Sequence, residues 1–271
     1  MDTRPIGVFD SGLGGLTALR ELANLLPQEE LIYFGDTGRV PYGSRSPETI
    51  IRYARQDVAF LLGFRPKAIV IACGTVSTTA LDTLRAEYDL PIFGVVEPAV
   101  RTAADLSQSG HIGLIGTSAT IRSGAYERAL SHLRPEARVT ARACPLFVPL
   151  VENGRYAPGD PVTELVAREY LEPFRAVGVD TLILGCTHYP LLRQVITQVM
   201  GPQVALVDVG AQCARWVVEY LTRQDLLAGA AGSGSRRYFV SDSTSDFGNL
   251  ASIFLGQDVS GQVEQADVSG L

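Results

Sequence analysis

The chain has 271 residues, of which 46% are hydrophobic, and its 23 basic and 29 acidic residues give a formal net charge of −6. This acidic balance, with no basic cluster beyond Arg236 and Arg237, excludes the charged surface that nucleic-acid-binding proteins require. No apolar run approaches the roughly 18 residues of a membrane span, and the N-terminal MDTRPIGVFD lacks a signal-peptide pattern, so we expect a cytoplasmic protein without membrane contact.

Residue counts restrict the chemistry further. The four cysteines are expected to be free thiols, and with no C-x-x-C spacing and only three histidines we expect no metal site. Lys67 is the only lysine, and it stands at the start of a predicted strand, whereas catalytic groups of open α/β sheets gather at the carboxyl ends. Because pyridoxal phosphate chemistry requires a well-placed lysine, we expect no cofactor.

Short apolar runs alternate with helical patterns along the chain, which predicts an α/β fold with parallel strands. The first part contains predicted strands at 6–9, 31–34, 68–72 and 92–96, and helices near 14–26, 47–63 and 77–88. The part from residue 112 onward repeats the pattern, with strands at 112–115, 138–142, 181–185 and 204–207, and helices near 122–133, 161–177 and 189–200.

The predicted strand ends match in order between the two parts. The first set ends at Asp10, Asp36, Cys73 and Glu97, and the second at Gly116, Cys144, Cys186 and Asp208. A cysteine follows the third strand in both, within IACGTVST and ILGCTHYP, which disfavours a chance similarity of spacing. We therefore predict two similar domains, each a mainly parallel sheet flanked by helices, with the active site in the cleft between them.

The residues after Asp208 have no counterpart in this duplication. They contain a predicted helix (211–227), a Gly/Ser-rich segment (228–235), a strand (236–240) and a capped helix (245–255) that ends at Gly256. The pattern leaves open which domain this tail packs on. We assign residues 1–97 and 208–271 to the first domain, and residues 98–207 to the second.

Cys73 and Cys186 are predicted at the N-termini of the helices that follow their strands. The helix dipole and its free N–H groups lower a thiol pKa from about 8.5 towards neutrality. Two such thiols on facing domains would take a proton from one face of a small substrate and return one to the other, which inverts a carbon centre. The alternative is that both are small buried core residues, as free cysteines often are, and Cys144 and Cys213 are expected to be inert.

Polar neighbours favour the catalytic interpretation. Thr75 and Thr187 follow the two cysteines, and hydroxyls with helix-start N–H groups are ligands for carboxylates. His188 lies two residues after Cys186, where it could shuttle a proton or stabilise charge, although a lone histidine is more often structural.

Two loops add further candidates. FDSGLGGL (9–16) matches a dinucleotide fingerprint only weakly, because Thr17 stands where the third glycine is expected, and the alternative is a tight turn that exposes Asp10 and Ser11 to the cleft. RVPYGSRS (39–46) is a predicted loop whose Tyr42 and Gly43 either contact a ligand or cover the cleft.

Taken together, these motifs resemble the glutamate racemases of the aspartate/glutamate racemase family. The matching segments span about residues 5 to 210 and are FDSGLGGL, FGDTGRVPYG, IACGT, GVVEPA, IGLIGTSATIRSGAY, PLVENG and LGCTHYPLL. The resemblance implies a cofactor-independent enzyme that supplies D-glutamate for peptidoglycan, with glutamate as its small-molecule partner and a homodimer as its candidate assembly. The loops VPYG and CTHYP favour glutamate over the substrates of the related aspartate and hydantoin racemases.

The resemblance also implies roles for individual residues. Cys73 would act on D-glutamate and Cys186 on L-glutamate, with Asp10, Glu152 and His188 as supporting acid/base residues. The residues implied to contact the substrate are Asp10, Ser11, Tyr42, Gly43, Gly74, Thr75, Thr117, Thr120, Thr187 and His188.

One position departs from the family's pattern. The family usually has Cys-Asn-Thr where this chain has Cys73-Gly74-Thr75, so a side-chain amide is missing, and the backbone N–H or a water would replace it. We expect Gly74→Asn to lower KM, by about tenfold or less for one hydrogen bond. Because the motifs show no obvious arginine clamp, we expect hydroxyls and backbone N–H groups to bind the carboxylates.

A non-catalytic amino-acid or nucleotide-binding protein with the same two-domain plan is the alternative function. The presence of a thiol at both strand ends argues against it, since a pure binding protein has no need for oxidisable cysteines there.

Overall fold

The computed structural model describes the backbone of residues 1–271 and the side chains of all of them except Ala231, Asp246 and Asn249. The strands of the described chain are β1 (Ile6–Asp10), β2 (Leu31–Gly35), β3 (Ala68–Ile71), β4 (Ile92–Gly94), β5 (His111–Gly116), β6 (Arg138–Ala143), β7 (Thr181–Leu184), β8 (Ala205–Asp208), β9 (Arg236–Val240) and β10 (Val263–Gln265). They form two sheets, with the orders β10-β9-β2-β1-β3-β4 and β6-β5-β7-β8, and every neighbouring pair is parallel.

The two sheets share one topology. In each, the first strand lies between the second and the third, and the fourth lies beyond the third. This confirms the predicted α/β fold with two similar, mainly parallel sheets. The tail extends the first sheet, because β9 pairs with β2 and β10 pairs with β9.

Helices cover the sheets, as parallel strands require. Their bounds are α1 (Leu16–Leu25), α2 (Pro47–Leu62), α3 (Gly74–Thr79), α4 (Leu81–Glu87), α5 (Val96–Leu106), α6 (Ser118–Ser123), α7 (Ala125–Leu133), α8 (Phe147–Glu152), α9 (Pro161–Ala176), α10 (Arg193–Met200), α11 (Val209–Arg223) and α12 (Thr244–Leu255). None of the helices described here is long and apolar enough to span a membrane.

The structure corrects several predicted elements. The helix predicted at 77–88 is two helices, α3 and α4, and the sequence pattern missed α5, α8 and the short, mostly exposed strand β10. Glu97 does not end a strand: β4 stops at Gly94, and Glu97 lies exposed in the first turn of α5, 3.3 Å from Arg101. Pro98 is tolerated in that turn because the first turn of a helix needs no N–H donor there.

Alternate residues of the central strand β1 supply two hydrophobic cores. Ile6 and Val8 belong to the larger core, which continues through α1, α5 and α11 into the second sheet, whereas Phe9 belongs to a smaller core under α2. One continuous core therefore joins the sheets. The proposed boundary between residues 97 and 98 falls inside α5, and the one between 207 and 208 falls inside β8, so the division into domains stays a prediction.

Lys67 lies at the amino end of β3, far from the strand ends that carry the cysteines. Its side chain is fully buried, and Nζ lies 2.6 Å from Glu29 Oε2 and donates to the carbonyl oxygens of Asp2 and Leu226, each at 2.7 Å. These contacts tie three separate chain segments together and leave Lys67 no route to the opposite end of the sheet.

We predict that Lys67→Met lowers the free energy of unfolding by about 3–5 kcal/mol, because it leaves the buried Glu29 carboxylate without its partner. Urea unfolding of the two proteins measures the change. Arg55→Met is the control, since Arg55 pairs with Glu87 at a site where both side chains are well exposed, and its loss should change stability by less than about 1 kcal/mol. Equal effects of the two substitutions would contradict the prediction.

Candidate active site

A cavity of about 640 Å³ lies between the carboxyl ends of the two sheets. Residues that follow β1, β2 and β3 line it from one side, and residues that follow β5, β6 and β7 line it from the other. All of the expected site residues except Thr120 line this cavity: Asp10, Ser11, Tyr42, Gly43, Cys73, Gly74, Thr75, Thr117, Glu152, Cys186, Thr187 and His188.

Cys73 and Cys186 occupy equivalent positions in the two sheets. Each lies two residues beyond the last residue of its strand, Ile71 in β3 and Leu184 in β7, and each of these strands is the third of its sheet. Both are free thiols that are less than a tenth exposed yet line the cavity. The topology therefore brings two thiols into one cavity from separate sheets.

The surroundings of Cys73 are acidic. Ser11 Oγ lies 3.4 Å from its Sγ, and the neighbouring Asp10 carboxylate accepts the Gly12 N–H at 2.9 Å. Burial, and then the Asp10 carboxylate, raise the pKa of Cys73 to about 12. The expectation of a lowered pKa is therefore wrong for Cys73: it does cap α3, but desolvation and a nearby negative charge outweigh the end of a short helix.

The surroundings of Cys186 are different. Its Sγ lies 3.8 Å from His188 Nδ1, and His188 Nε2 lies 3.0 Å from Glu152 Oε1. Burial alone would lower the pKa of His188, but the hydrogen bonds to Cys186 and Glu152 raise it to about 10, so the ring is an imidazolium at neutral pH. The predicted α-helix does not begin at Cys186: a 3-10 turn spans Tyr189–Leu192 and α10 starts at Arg193. The positive charge beside this thiol comes from His188.

Hydroxyl groups from the two sheets meet across the cavity. Thr75 Oγ1 and Thr117 Oγ1 are 3.0 Å apart, and Thr117 Oγ1 also lies 3.0 Å from Thr120 Oγ1. Thr120 is fully buried beneath Thr117 and donates its N–H to the Thr117 hydroxyl at 3.2 Å. Its expected contact with substrate stays a prediction; the contact that the structure shows is with Thr117.

Tyr42 and Gly43 line the cavity from the loop after β2. The Tyr42 hydroxyl points away from the cavity and donates to the Asp36 carboxylate behind it, and Asp57 Oδ2 lies 3.4 Å from the same hydroxyl. Asp36, expected at a strand end, does follow β2, but it is fully buried in this polar cluster and does not line the cavity.

Glycines allow the loop that carries Cys186 to approach the first sheet closely. A Cβ added at Gly74 would lie 2.4 Å from the Gly185 carbonyl oxygen, and one added at Gly14 would lie 2.4 Å from both His188 Nδ1 and Thr187 Oγ1. The Thr17 hydroxyl donates to the Thr187 carbonyl at 2.9 Å beside this contact. Gly74 thus faces a backbone neighbour, so the room expected for an asparagine is not there unless this contact shifts, and the expected effect of Gly74→Asn on KM stays a prediction.

Two further residues that line the cavity, Arg122 and Cys144, bear on its chemistry. Arg122 lies within the segment IGLIGTSATIRSGAY, and its exposed guanidinium offers a carboxylate partner that was not expected. Cys144 follows β6, and burial raises the pKa of its thiol to about 12, which agrees with an inert role. Among the side chains that the structure describes, no group of three or more His, Cys, Asp or Glu is arranged to hold a metal ion.

Comparisons with known proteins match the whole site-bearing region. The Asp/Glu/Hydantoin racemase family model matches residues 10–215. The chain is 49% identical over 256 residues to the glutamate racemase of Geobacter metallireducens, covering 94% of both chains. It is similar to the solved structures of the Thermus thermophilus glutamate racemase with β-chloro-D-alanine (TM-score 0.89, 45% identity) and the Francisella tularensis glutamate racemase with D-glutamate (TM-score 0.91, 36% identity), each with 100% of both chains covered.

We predict that Gly74→Ala weakens glutamate binding, because the added methyl would force α3 away from the Gly185 carbonyl and widen the cavity. Titration calorimetry with D-glutamate should show a roughly tenfold or larger rise in Kd, equivalent to about 1.4 kcal/mol or more.

Gly43→Ala is the matched comparison, since its methyl would meet only Thr117 Cβ at 3.3 Å and should have the smaller effect. A Kd for Gly74→Ala equal to that of the unaltered protein would show that the contact with Gly185 does not set the cavity width.

Proposed function

The chain belongs to the Asp/Glu/hydantoin racemase family, and we propose that it interconverts L-glutamate and D-glutamate by two-base catalysis with Cys73 and Cys186. As a member of this family it is an isomerase. The observation that carries the two-base proposal is the pair of thiols at equivalent strand ends that line one cavity from opposite sides. Glutamate as the substrate rests on the similarity to glutamate racemases across nearly the whole chain.

The two thiols have different electrostatic surroundings. At neutral pH Cys73 is a neutral thiol, because burial and Asp10 raise its pKa to about 12. His188, an imidazolium held by Glu152, places a positive charge 3.8 Å from the Cys186 sulfur and attracts negative charge there. The free enzyme thus has a proton donor at Cys73 and a positive charge beside Cys186.

In the direction from L- to D-glutamate, Cys186 as a thiolate takes the α-proton and leaves the electron pair on carbon. Cys73 then donates its proton to the opposite face, which forms D-glutamate and leaves Cys73 as the thiolate. In the reverse direction the roles exchange: Cys73 removes the α-proton of D-glutamate and Cys186 donates. Each thiol is therefore base for one enantiomer and acid for the other.

Neutral donors surround the reacting centre. The hydroxyl-bearing residues Ser11, Thr75, Thr117 and Thr187 line the cavity, together with Gly43 and Gly74, which offer only backbone groups. We infer that these groups bind the substrate carboxylates and that Arg122 binds one of them at the exposed side. Asp10, buried beside Cys73, is placed to accept the substrate ammonium group or to pass a proton to the thiol.

The product suggests the biological role. D-glutamate made by this reaction would supply peptidoglycan synthesis, and so cell-wall assembly and cell shape, in the cytoplasm. A homodimeric assembly stays a prediction.

We predict racemisation of glutamate without pyridoxal phosphate, nucleotide or metal ion. Purified protein dialysed against a chelator should drive the circular dichroism of either L- or D-glutamate to zero, because the enantiomers have equal energy, and aspartate should be unchanged. Product formed in deuterium oxide should carry deuterium at the α-carbon. A requirement for added pyridoxal phosphate or metal would contradict the proposal, and glutamate binding with no change in dichroism or α-hydrogen would favour the binding-protein alternative.

We predict that Cys73→Ser and Cys186→Ser each lower kcat for racemisation by about 10²–10⁴-fold or more, because a serine hydroxyl is too weakly acidic to replace either base or acid. Cys213→Ser is the control: this cysteine is buried away from the cavity, and its Sγ donates to the Gly94 carbonyl at 3.5 Å, a bond that serine retains. Its kcat should be close to that of the unaltered enzyme.

The two active-site mutants should differ in a partial reaction. Loss of a leaving group from the β-carbon of a glutamate analogue needs only removal of the α-proton, so one thiol suffices. Cys73→Ser should retain this elimination with the L-analogue, and Cys186→Ser with the D-analogue. Elimination by both mutants from the same enantiomer, or near-normal racemisation by either, would be incompatible with opposed thiols.

A further inference from the structure

Behind the cavity, a buried polar cluster holds the loop formed by residues 37–44, here called the cover loop. Arg39 donates from Nε to Asp36 Oδ2 at 2.6 Å, from Nη2 to Asp57 Oδ1 at 2.9 Å, and from Nη1 to Gln56. The Tyr42 hydroxyl donates to Asp36, and Asp57 Oδ2 lies 3.4 Å from the same hydroxyl. Asp36 and Asp57 are both fully buried, and neither they nor Arg39 are among the described residues that line the cavity.

We propose that Asp57 and Arg39 are positioning residues for the proposed racemisation. They hold the cover loop so that the Tyr42 ring and the Gly43 backbone face the substrate. One proton is kept between the Asp36 and Asp57 carboxyl groups. The inference rests on the proposed function only for its kinetic test.

The charges of the cluster argue for the proton. Arg39 supplies one positive charge against two buried carboxyl groups, and an uncompensated negative charge in the interior is strongly unfavourable. The titratable groups that face Asp57 are Asp36, Arg39 and Tyr42, with Asp10 beyond them. Burial and then the Asp36 charge raise the pKa of Asp57 well above its usual range, so Asp57 is the carboxyl group that keeps the proton.

With Asp57 protonated, every polar atom of the cluster has a partner. Asp57 Oδ2–H donates to the Tyr42 hydroxyl, which donates to Asp36, while Asp57 Oδ1 accepts from Arg39. The other oxygen of Asp36 accepts from the Ser241 hydroxyl at 2.7 Å, and Ser241 in turn accepts the Gly38 N–H at 2.9 Å. The cover loop is therefore fixed both to α2, through Asp57, and to the segment after β9, through Ser241.

This arrangement assigns Tyr42 a role different from direct hydrogen bonding to substrate. Because its hydroxyl is used inside the cluster, only the ring and the backbone remain for the cavity. The Arg39 guanidinium lies 4.3 Å from the centre of the Tyr53 ring, and the Tyr42 and Tyr53 rings are 5.4 Å apart, so the same cluster also packs the ring of Tyr42 in place.

Two substitutions at residue 57 test whether Asp57 holds the cover loop and whether it does so in its protonated form. Asp57→Asn keeps a carbonyl oxygen for Arg39 and supplies an N–H for Tyr42, so it imitates the protonated carboxyl group; its KM for glutamate should stay within about threefold of the unaltered value. Asp57→Leu keeps a similar size and removes both bonds; its KM should rise about tenfold or more, with kcat changed less than about threefold. Arg55→Leu, at an exposed ion pair on the same helix, is the control and should alter neither constant.

Hydrogen–deuterium exchange without substrate gives a second measurement that does not depend on the identity of the substrate. Exchange in residues 36–46 should be faster in Asp57→Leu than in the unaltered protein or Asp57→Asn, while exchange in β3 should be the same in all three. If Asp57→Leu does not fold, Arg39→Gln, which removes the same ion pairs from a less buried position, should give the raised KM and the faster loop exchange.

Each opposing result overturns a stated part of the proposal. Asp57→Asn behaving like Asp57→Leu would show that the cluster needs an ionised Asp57, and so no shared proton. Unchanged KM and loop exchange in Asp57→Leu, or a fall in kcat at constant KM, would show that the cluster does not position the loop. If the unaltered protein fails to racemise glutamate, the proposed function falls, while the exchange comparison still decides whether Asp57 and Arg39 hold the cover loop.

Discussion

The two-thiol site depends on the close approach of the loop that carries Cys186 to two glycines that follow strands of the first sheet. Gly14 and Gly74 present no side chain at the points where residues 185–188 approach, and a Cβ at either position would lie 2.4 Å from an atom of that loop. The Thr17 hydroxyl adds a hydrogen bond of 2.9 Å to the Thr187 carbonyl. The lack of side chains at Gly14 and Gly74 therefore lets the two sheets, and with them the two sulfur atoms, come this close.

Equivalent positions in two similar sheets do not by themselves make one thiol an acid and the other a base. The repeated topology delivers Cys73 and Cys186 to matching strand ends, but a thiol that donates and a thiolate that accepts need unlike surroundings. Asp10 supplies a carboxylate beside Cys73, whereas His188 supplies an imidazolium beside Cys186, with Glu152 behind it. The symmetry of the fold thus provides the geometry, and each thiol has its own charged neighbours, while the enantiomer that binds decides which thiol acts as the base.

Local sequence pattern was enough for strands β1 to β9 and for the cysteines that follow β3 and β7, because apolar runs and the residues that follow them are adjacent in sequence. It missed α5 because the apolar run IFGVV, assigned to a strand, continues into the first residue of that helix. It assigned Cys73 a lowered pKa because a helix end can be read from the sequence, whereas desolvation cannot. The position of the tail also had to come from the structure, because β9 pairs with β2 across about two hundred residues. Local sequence pattern also does not predict the cluster of Asp36, Arg39 and Asp57, because charged residues in a loop and on a helix usually lie on the surface.

Among the described residues that line the cavity, Arg122 and the His188 imidazolium are cationic, and hydroxyl-bearing side chains are more numerous. A cluster of arginines would bind the substrate carboxylates strongly, but positive charge beside both sulfurs would also stabilise the thiolates and weaken them as bases towards a weakly acidic α-proton. Hydroxyls and backbone N–H groups bind carboxylates without that penalty, and Arg122 lies at an exposed position. The pKa of about 12 at Cys73 fits this design, because a thiol that gives up its proton reluctantly becomes a strong base once it has done so.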